Sequence, residues 1–201
     1  MSTPLPPSTS DTALAIALLA EYRARFGAQR TLAEKAAAQV DDGGMFATLD
    51  AESNSIAVVM QHVGGNLRSR FTDFLDTDGE KPDRDRDGEF LTIVGQTRTD
   101  VMARWDAGWR TLEHALATLQ PDDLLRTVTI RGEPMLVVQA LGRSLAHVAQ
   151  HAGQVVLLAK HRAGERWQTL SIARGRSQAY ESALREGQRE GQREGQREGS
   201  R

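Results

Sequence analysis

Apolar positions recur at helical spacing over four long stretches of the chain. In the first, residues 11–39, Leu14, Ile16, Ala17, Leu18, Tyr22 and Phe26 form a broad apolar side. Asp11 is placed to cap its start, and Asp41-Asp42-Gly43-Gly44 to end it. In the second, residues 53–75, the capping residues Ser53, Asn54 and Ser55 precede Ile56, Val59, Met60, Val63, Leu67, Phe71 and Leu75, spaced by threes and fours. The third, residues 96–119, marks its buried side with Val101, Met102, Trp105, Trp109, Leu112, Leu116 and Leu119, and Pro121 follows as a stop. The fourth, residues 138–160, carries Leu141, Leu145, Val148, Val155 and Leu158.

Between the third and fourth stretches the period changes. Thr127-Val128-Thr129-Ile130 and Met135-Leu136-Val137-Val138 flank Arg131-Gly132-Glu133, the pattern of a short hairpin or extended pair. After the fourth stretch, Trp167-Gln168-Thr169-Leu170-Ser171-Ile172 is a short apolar segment expected to pack back on the helices. Four amphipathic helices with one longer connection make an all-α helical bundle the natural architecture. Bundle cores are also where facing helices can build a metal site.

The ends depart from this pattern. Residues 1–10 hold three prolines and several Ser and Thr, and are expected to be a flexible leader. Within the tail, residues 178–201, an Arg-Glu-Gly-Gln unit repeats with period four from Arg185 to Gly199, which stacks like charges at i,i+4 and places a glycine in every turn. No apolar stripe offsets this, so the tail is expected to be disordered. The predicted domain is residues 11–177.

Composition narrows the function classes. At 201 residues, 39% hydrophobic and 26% charged, the chain is long enough for one globular domain with a real core. It has no cysteine, which excludes disulfides, thiolate metal ligands and a cysteine nucleophile. The net charge of -2 comes without a basic stripe, which argues against nucleic acid. No apolar run approaches the ~20 residues of a membrane span, and no signal-peptide pattern is present. A cytoplasmic protein acting on a small molecule is the expectation.

Five histidines are unequally placed. His147 and His151 form His-x-x-x-His, which puts both rings on one helix face about 6 Å apart along the axis, a spacing that can chelate one ion. The intervening residues lack the glutamate of a zinc-protease motif. His62 lies mid-way along the second helix among Met60, Val63 and Leu67. It is either a core histidine satisfied by its neighbours or a third imidazole completing a three-histidine site with open positions. His114 and His161 read as surface or helix-end residues.

The run from His62 through Asn66, Arg68, Arg70, Thr72 and Asp73 to Asp78-Gly79-Glu80-Lys81-Pro82 is distinctive. Together with His147-x-x-x-His151 and Trp167-x-Thr-Leu-Ser-Ile, it resembles the DinB-like (YfiT-like) superfamily of bacterial metalloenzymes, and more narrowly a branch of unknown function within it. The resemblance covers about residues 11–177. It implies a four-helix up-down-down-up type bundle with a short β-hairpin or extended connection before the fourth helix. It also implies one divalent metal held by His62 from the second helix and His147 and His151 from the fourth. Zinc ranks first, with nickel, manganese or iron as alternatives. Members with known activity are transferases or isomerases that use low-molecular-weight thiols, so a thiol co-substrate is implied. Dimers are common in the superfamily, which implies a homodimer here.

Around that site, Asn66 and Arg70 follow His62 at intervals of four, so both share its face. They are expected to line a pocket, Arg70 binding an anionic group. The other reading of Arg70 is a salt bridge to Asp73. Ser144 and Gln154, three residues from His147 and His151, are placed to orient a ring nitrogen. The expected function is a metal-dependent transferase or hydrolase; the alternative is a non-catalytic metal- or ligand-binding dimeric bundle. Asp83-Arg-Asp85-Arg-Asp87-Gly88 matches the front of a calcium loop, but Val94 stands where the bidentate glutamate belongs. The acidic stretch 76–89 is expected to be a solvated loop, or an ordered turn near the pocket mouth.

Overall fold

A computed structural model of the protein describes residues 9–186. The leader over residues 1–8 and the repeat from residue 187 onward lie outside the described residues. The first unit, ending at Arg166, is mostly helical. Its elements are α1 (Thr9–Ala37), α2 (Asp42–Phe46), α3 (Ile56–Phe71), α4 (Arg98–Thr118), the strands β1 (Thr127–Ile130) and β2 (Glu133–Leu136), and α5 (Val137–Ala163). Short 3-10 turns at Gly88–Phe90, Pro121–Leu125 and Gly164–Arg166 complete it.

Helix α3 is packed against both α4 and α5, and α1 lies against α5. Its start is fixed by Ser55, whose Oγ accepts the Val58 N–H at 3.2 Å. Nearly every residue of α3 is buried, including the polar Gln61, His62, Asn66, Ser69 and Arg70. Burying such groups is costly unless each finds a partner. The connection from α3 to α4 supplies many of them. Gln61 donates to the carbonyls of Glu89 and Leu91 at 2.6 and 3.0 Å. Ser69 Oγ donates to Gly79 O at 2.9 Å, and Arg70 donates to the same carbonyl at 2.6 Å. The charge-rich stretch 76–89 is therefore an ordered strap over α3, with the Arg84 side chain only 4% exposed.

Two glycines set the crossing of α3 and α4. A Cβ on Gly108 would fall 2.3 Å from Gly64 O, and one on Gly64 would fall 2.7 Å from Arg104 O. These are backbone neighbours, so a methyl group at either position forces the helices apart. The core between helices is apolar and aromatic. Phe26 meets Phe71 and Trp109 edge-on at 6.4 and 6.5 Å, and Trp105, Trp109, Met60 and Leu141 are fully buried.

The hairpin forms as the change of period predicts, with Thr127 opposite Leu136 and Ile130 opposite Glu133. Arg131 and Gly132 close it with φ of 58° and 75°, a type I′ turn. Asp78 fixes that turn by accepting the N–H groups of Arg131 and Gly132 at 2.8 and 2.7 Å.

Three expectations need correction. Helix α1 begins at Thr9, so Asp11 lies in its first turn and is not its cap. Leu14 and Ile16 are 69% and 55% exposed; of the expected apolar side Phe26 is buried, and it lies on a line with Leu19 and Ala33, one heptad apart. The Asp-Asp-Gly-Gly segment does not merely stop α1: Asp41 accepts the Gly44 N–H at 2.8 Å and caps the short α2, whose Met45 is buried.

The second unit begins at Trp167. Its described part contains a turn, in which Arg176 N–H reaches Ala173 O at 3.0 Å, and exposed helix over residues 177–186. Glu181 and Arg185 pair along it at 3.7 Å. Among the described residues no helix is long and apolar enough to cross a membrane.

Candidate metal centre

His62 on α3 and His147 and His151 on α5 point their Nε2 atoms at one another. His147 Nε2 stands 3.2 Å from His62 Nε2 and 3.1 Å from His151 Nε2. The ring centroids of His62 and His151 are 4.9 Å apart. A tetrahedral ion with metal–nitrogen distances of about 2.0–2.1 Å separates its nitrogens by about 3.3–3.4 Å. The observed spacing is close to that of three corners of such a polyhedron. Among the described residues, this is the group of histidines and carboxylates able to share an ion.

Two of the outer nitrogens fix lone pairs on the nitrogens that converge. His62 Nδ1 lies 2.8 Å from Glu89 Oε2, and His151 Nδ1 lies 2.7 Å from Gln154 Oε1. Both partners are acceptors, so both Nδ1 atoms carry the proton and both Nε2 atoms present lone pairs. His147 Nε2 can donate to only one of these neighbours. A cation satisfies all three nitrogens at once, which is the fit that the donor set itself supplies. His147 Nδ1 is buried without a hydrogen-bond partner among the described residues.

Electrostatics favour the neutral form of the two α5 ligands and keep the supporting carboxylate charged. Burial, reinforced by the neighbouring His151 and His62, depresses the His147 pKa to about 4. His151 is also lowered, chiefly by burial. Burial acts to raise the Glu89 carboxyl, but hydrogen bonds from Arg84 and His62 outweigh it and the net shift is downward. Arg84 grips Glu89 with two parallel bonds, Nε to Oε1 and Nη2 to Oε2, both 2.8 Å. Phe90 lies against the His62 ring with centroids 4.5 Å apart.

The remaining residues singled out by spacing fall around the same point. Asn66, Arg70 and Ser144 line a cavity of about 190 Å³ that reaches His62 and His147. Ser144 is buried there but makes no hydrogen bond to the His147 ring. Arg70 does not pair with Asp73. Its charge is engaged by Glu80 at 2.9 Å, so it lines the cavity without being a free anion receptor. His114 and His161 are exposed and remote from the cluster. Asp85 of the calcium-like stretch accepts the Gly88 N–H at 2.9 Å, closing a local turn.

Sequence reasoning missed Arg84, Glu89, Phe90 and the supporting Gln61. Glu89 lies 27 residues from His62 in a charge-rich segment, and only the path of the strap brings the two together. The available signal was the burial implied for α3, whose polar side chains had to find partners nearby.

Comparison with curated proteins and with solved structures returns no match. A family model does match, over residues 13–176, and so spans the helices, the strap, the hairpin and all three histidines. By that match the chain belongs to the protein family of unknown function DUF1572.

Proposed function

We propose that this chain is a divalent-metal-dependent enzyme, with one ion held by His62, His147 and His151 and zinc the foremost candidate. We further propose that α1, α3, α4 and α5 form the up-down-down-up four-helix bundle of the DinB-like superfamily. The observation that carries the reading is the convergence of three Nε2 atoms at 3.1 and 3.2 Å, with two of the outer nitrogens tied to acceptors. A second observation favours catalysis over a purely structural site. The group has three protein ligands, and a cavity opens onto two of them, where a closed structural site would add a fourth.

When bound, such an ion supplies Lewis acidity and lowers the pKa of a coordinated thiol or water. The chain's own residues do the positioning. Glu89 and Gln154 hold the Nδ1 protons of His62 and His151, fixing tautomer and ring orientation. Arg84 holds Glu89 in place and ionised. Asn66 and Ser144 bring polar groups to the cavity wall. Because the chain has no cysteine, a participating thiol enters as a low-molecular-weight co-substrate. The proposed reaction class is transfer of a group to or from that thiol.

The test begins with metal analysis of the purified protein and zinc titration of wild type, His62→Ala and His147→Ala. Stoichiometric binding in wild type and its loss in both variants is the expected result; equal binding by all three removes the site. Assays with several thiols and electrophiles follow, with and without chelator. Chelator-sensitive turnover supports the enzyme, whereas metal binding without turnover favours a non-catalytic metal-binding bundle.

A further inference from the structure

The cavity beside the histidines is walled by arginine. Arg84 and Arg86 come from the strap, Arg70 from α3, Arg131 from the hairpin turn and Arg143 from α5, one helical turn before His147. No Asp or Glu lines it among the described residues. Outside the wall, three carboxylates stand against these five guanidiniums. Glu80 is shared by Arg70 and Arg131, both at 2.9 Å, and by Arg84 at 3.4 Å. Glu89 serves Arg84 and His62 together. Asp87 lies 3.8 Å from Arg86 and its side chain is 98% exposed, so it offsets little. The side chain of Arg143, an exposed residue at the cavity edge, makes no ion pair and no hydrogen bond among the described residues. Five guanidiniums against three carboxylates leave a formal surplus of two positive charges, counting the exposed Asp87 in full, around a small, partly enclosed space.

The hairpin adds an independent observation. Arg131 adopts a left-handed backbone, φ 58°, at a turn position where asparagine, aspartate or glycine is at ease. Non-glycine residues held in this region concentrate at functional sites, where the local cost is retained for the side chain's sake. Here the side chain retained is a guanidinium on the cavity wall. The volume of about 190 Å³ is below the ~300 Å³ at which whole-ligand pockets begin, so it suits a head group and not an entire substrate.

We propose that this cavity seats a doubly charged oxyanion, a phosphate or dicarboxylate head group, of the substrate handled at the three histidines, with Arg143 as its principal anchor and Arg131, which Glu80 holds through Nε alone while Arg70 is also tied to Gly79 O, as the second. The planar fork of arginine donors matches both head groups. Assigning the anion to a substrate rests on the metal-site reading above; the anion site itself does not.

The experiment titrates inorganic phosphate, and separately malonate, into the full chain by calorimetry, in zinc-loaded and chelator-treated forms. Wild type is compared with Arg143→Gln, Arg131→Asn and His147→Ala. The expected result is saturable binding of at least one anion in both metal states, weakened about tenfold by Arg143→Gln or Arg131→Asn, the loss of one charge-assisted contact. Whichever anion binds more tightly identifies the head group. Arg131→Asn relieves the turn and is expected to unfold no earlier than wild type, so its loss of binding is not a folding defect. Absence of saturable binding by either anion overturns the proposal. So does binding that neither arginine variant changes, or binding seen only with zinc and indifferent to both variants. If zinc fails to bind while arginine-dependent anion binding persists, the metal reading falls and the anion site stands.

Discussion

Gly65→Ala tests whether Glu89 supports the metal site. On a helix surface this change ordinarily stabilises by about 1 kcal/mol. Here the new Cβ would lie 2.2 Å from Glu89 Oε1 and 2.7 Å from its carboxyl carbon. Relief to ordinary contact near 3.5 Å requires a shift of roughly 1 Å. The carboxylate has little freedom to move, since Arg84 holds both its oxygens at 2.8 Å and His62 holds one at 2.8 Å. A displacement of that size breaks the His62 contact, leaving the Nδ1 proton without its acceptor. Loss of a partner behind a metal-bound histidine costs about 10- to 100-fold in affinity, about 1.4–2.7 kcal/mol. The assay is a competition titration of zinc against a chromophoric chelator. Gly27→Ala is the control, because a Cβ there meets nothing within 4 Å. The control is expected to gain stability and keep its zinc affinity. Zinc affinity of Gly65→Ala within about twofold of wild type would refute the supporting role assigned to Glu89.

Other consequences are open to direct measurement. Gly108→Ala drives a methyl group into the backbone of α3, 2.3 Å from Gly64 O. Urea denaturation should show a loss of about 1–3 kcal/mol despite the better helix propensity. Ser55→Ala removes the cap of α3 at a buried position and should cost about 1 kcal/mol in the same assay, with Ser55→Asp recovering part of it. Asp78 is held below the usual carboxylate range, first by the Glu80 N–H and then by that of Gly132. A depressed folded-state pKa contributes stability above the unfolded value near 3.8 and loses it as pH falls through the folded value. Asp78→Asn should therefore lower the urea midpoint at neutral pH and flatten its decline below pH ~4; an unchanged acid limb would count against the turn-locking role.

The long helices were legible because burial on one side leaves a periodic mark, and α3, α4 and α5 carry it along most of their length. The start of α1 misled for a physical reason. From Ala13 to Ala20 apolar residues are continuous, and a run without a period does not say which side faces the core. Of that run only Leu19 is buried. Helix α2 was hidden by two glycines whose poor propensity is offset by the Asp41 cap and the burial of Met45. The His147–His151 pair was readable because both share one helix face, whereas His62, on another apolar helix, could equally be a core histidine and was joined to the pair only by the family resemblance. Glu89 and Arg84 were not, since local composition in the strap describes a solvated loop and only tertiary contact reveals two buried side chains.

The strap's attachment to His62 also has a thermodynamic corollary. If a closed strap raises the affinity of the three imidazoles for an ion, then by linkage an ion at the imidazoles must stabilise strap closure by the same free energy. Amide exchange across residues 76–97 would thus report occupancy from a distance, and a ligand that clamps the strap would tighten metal retention without touching the metal.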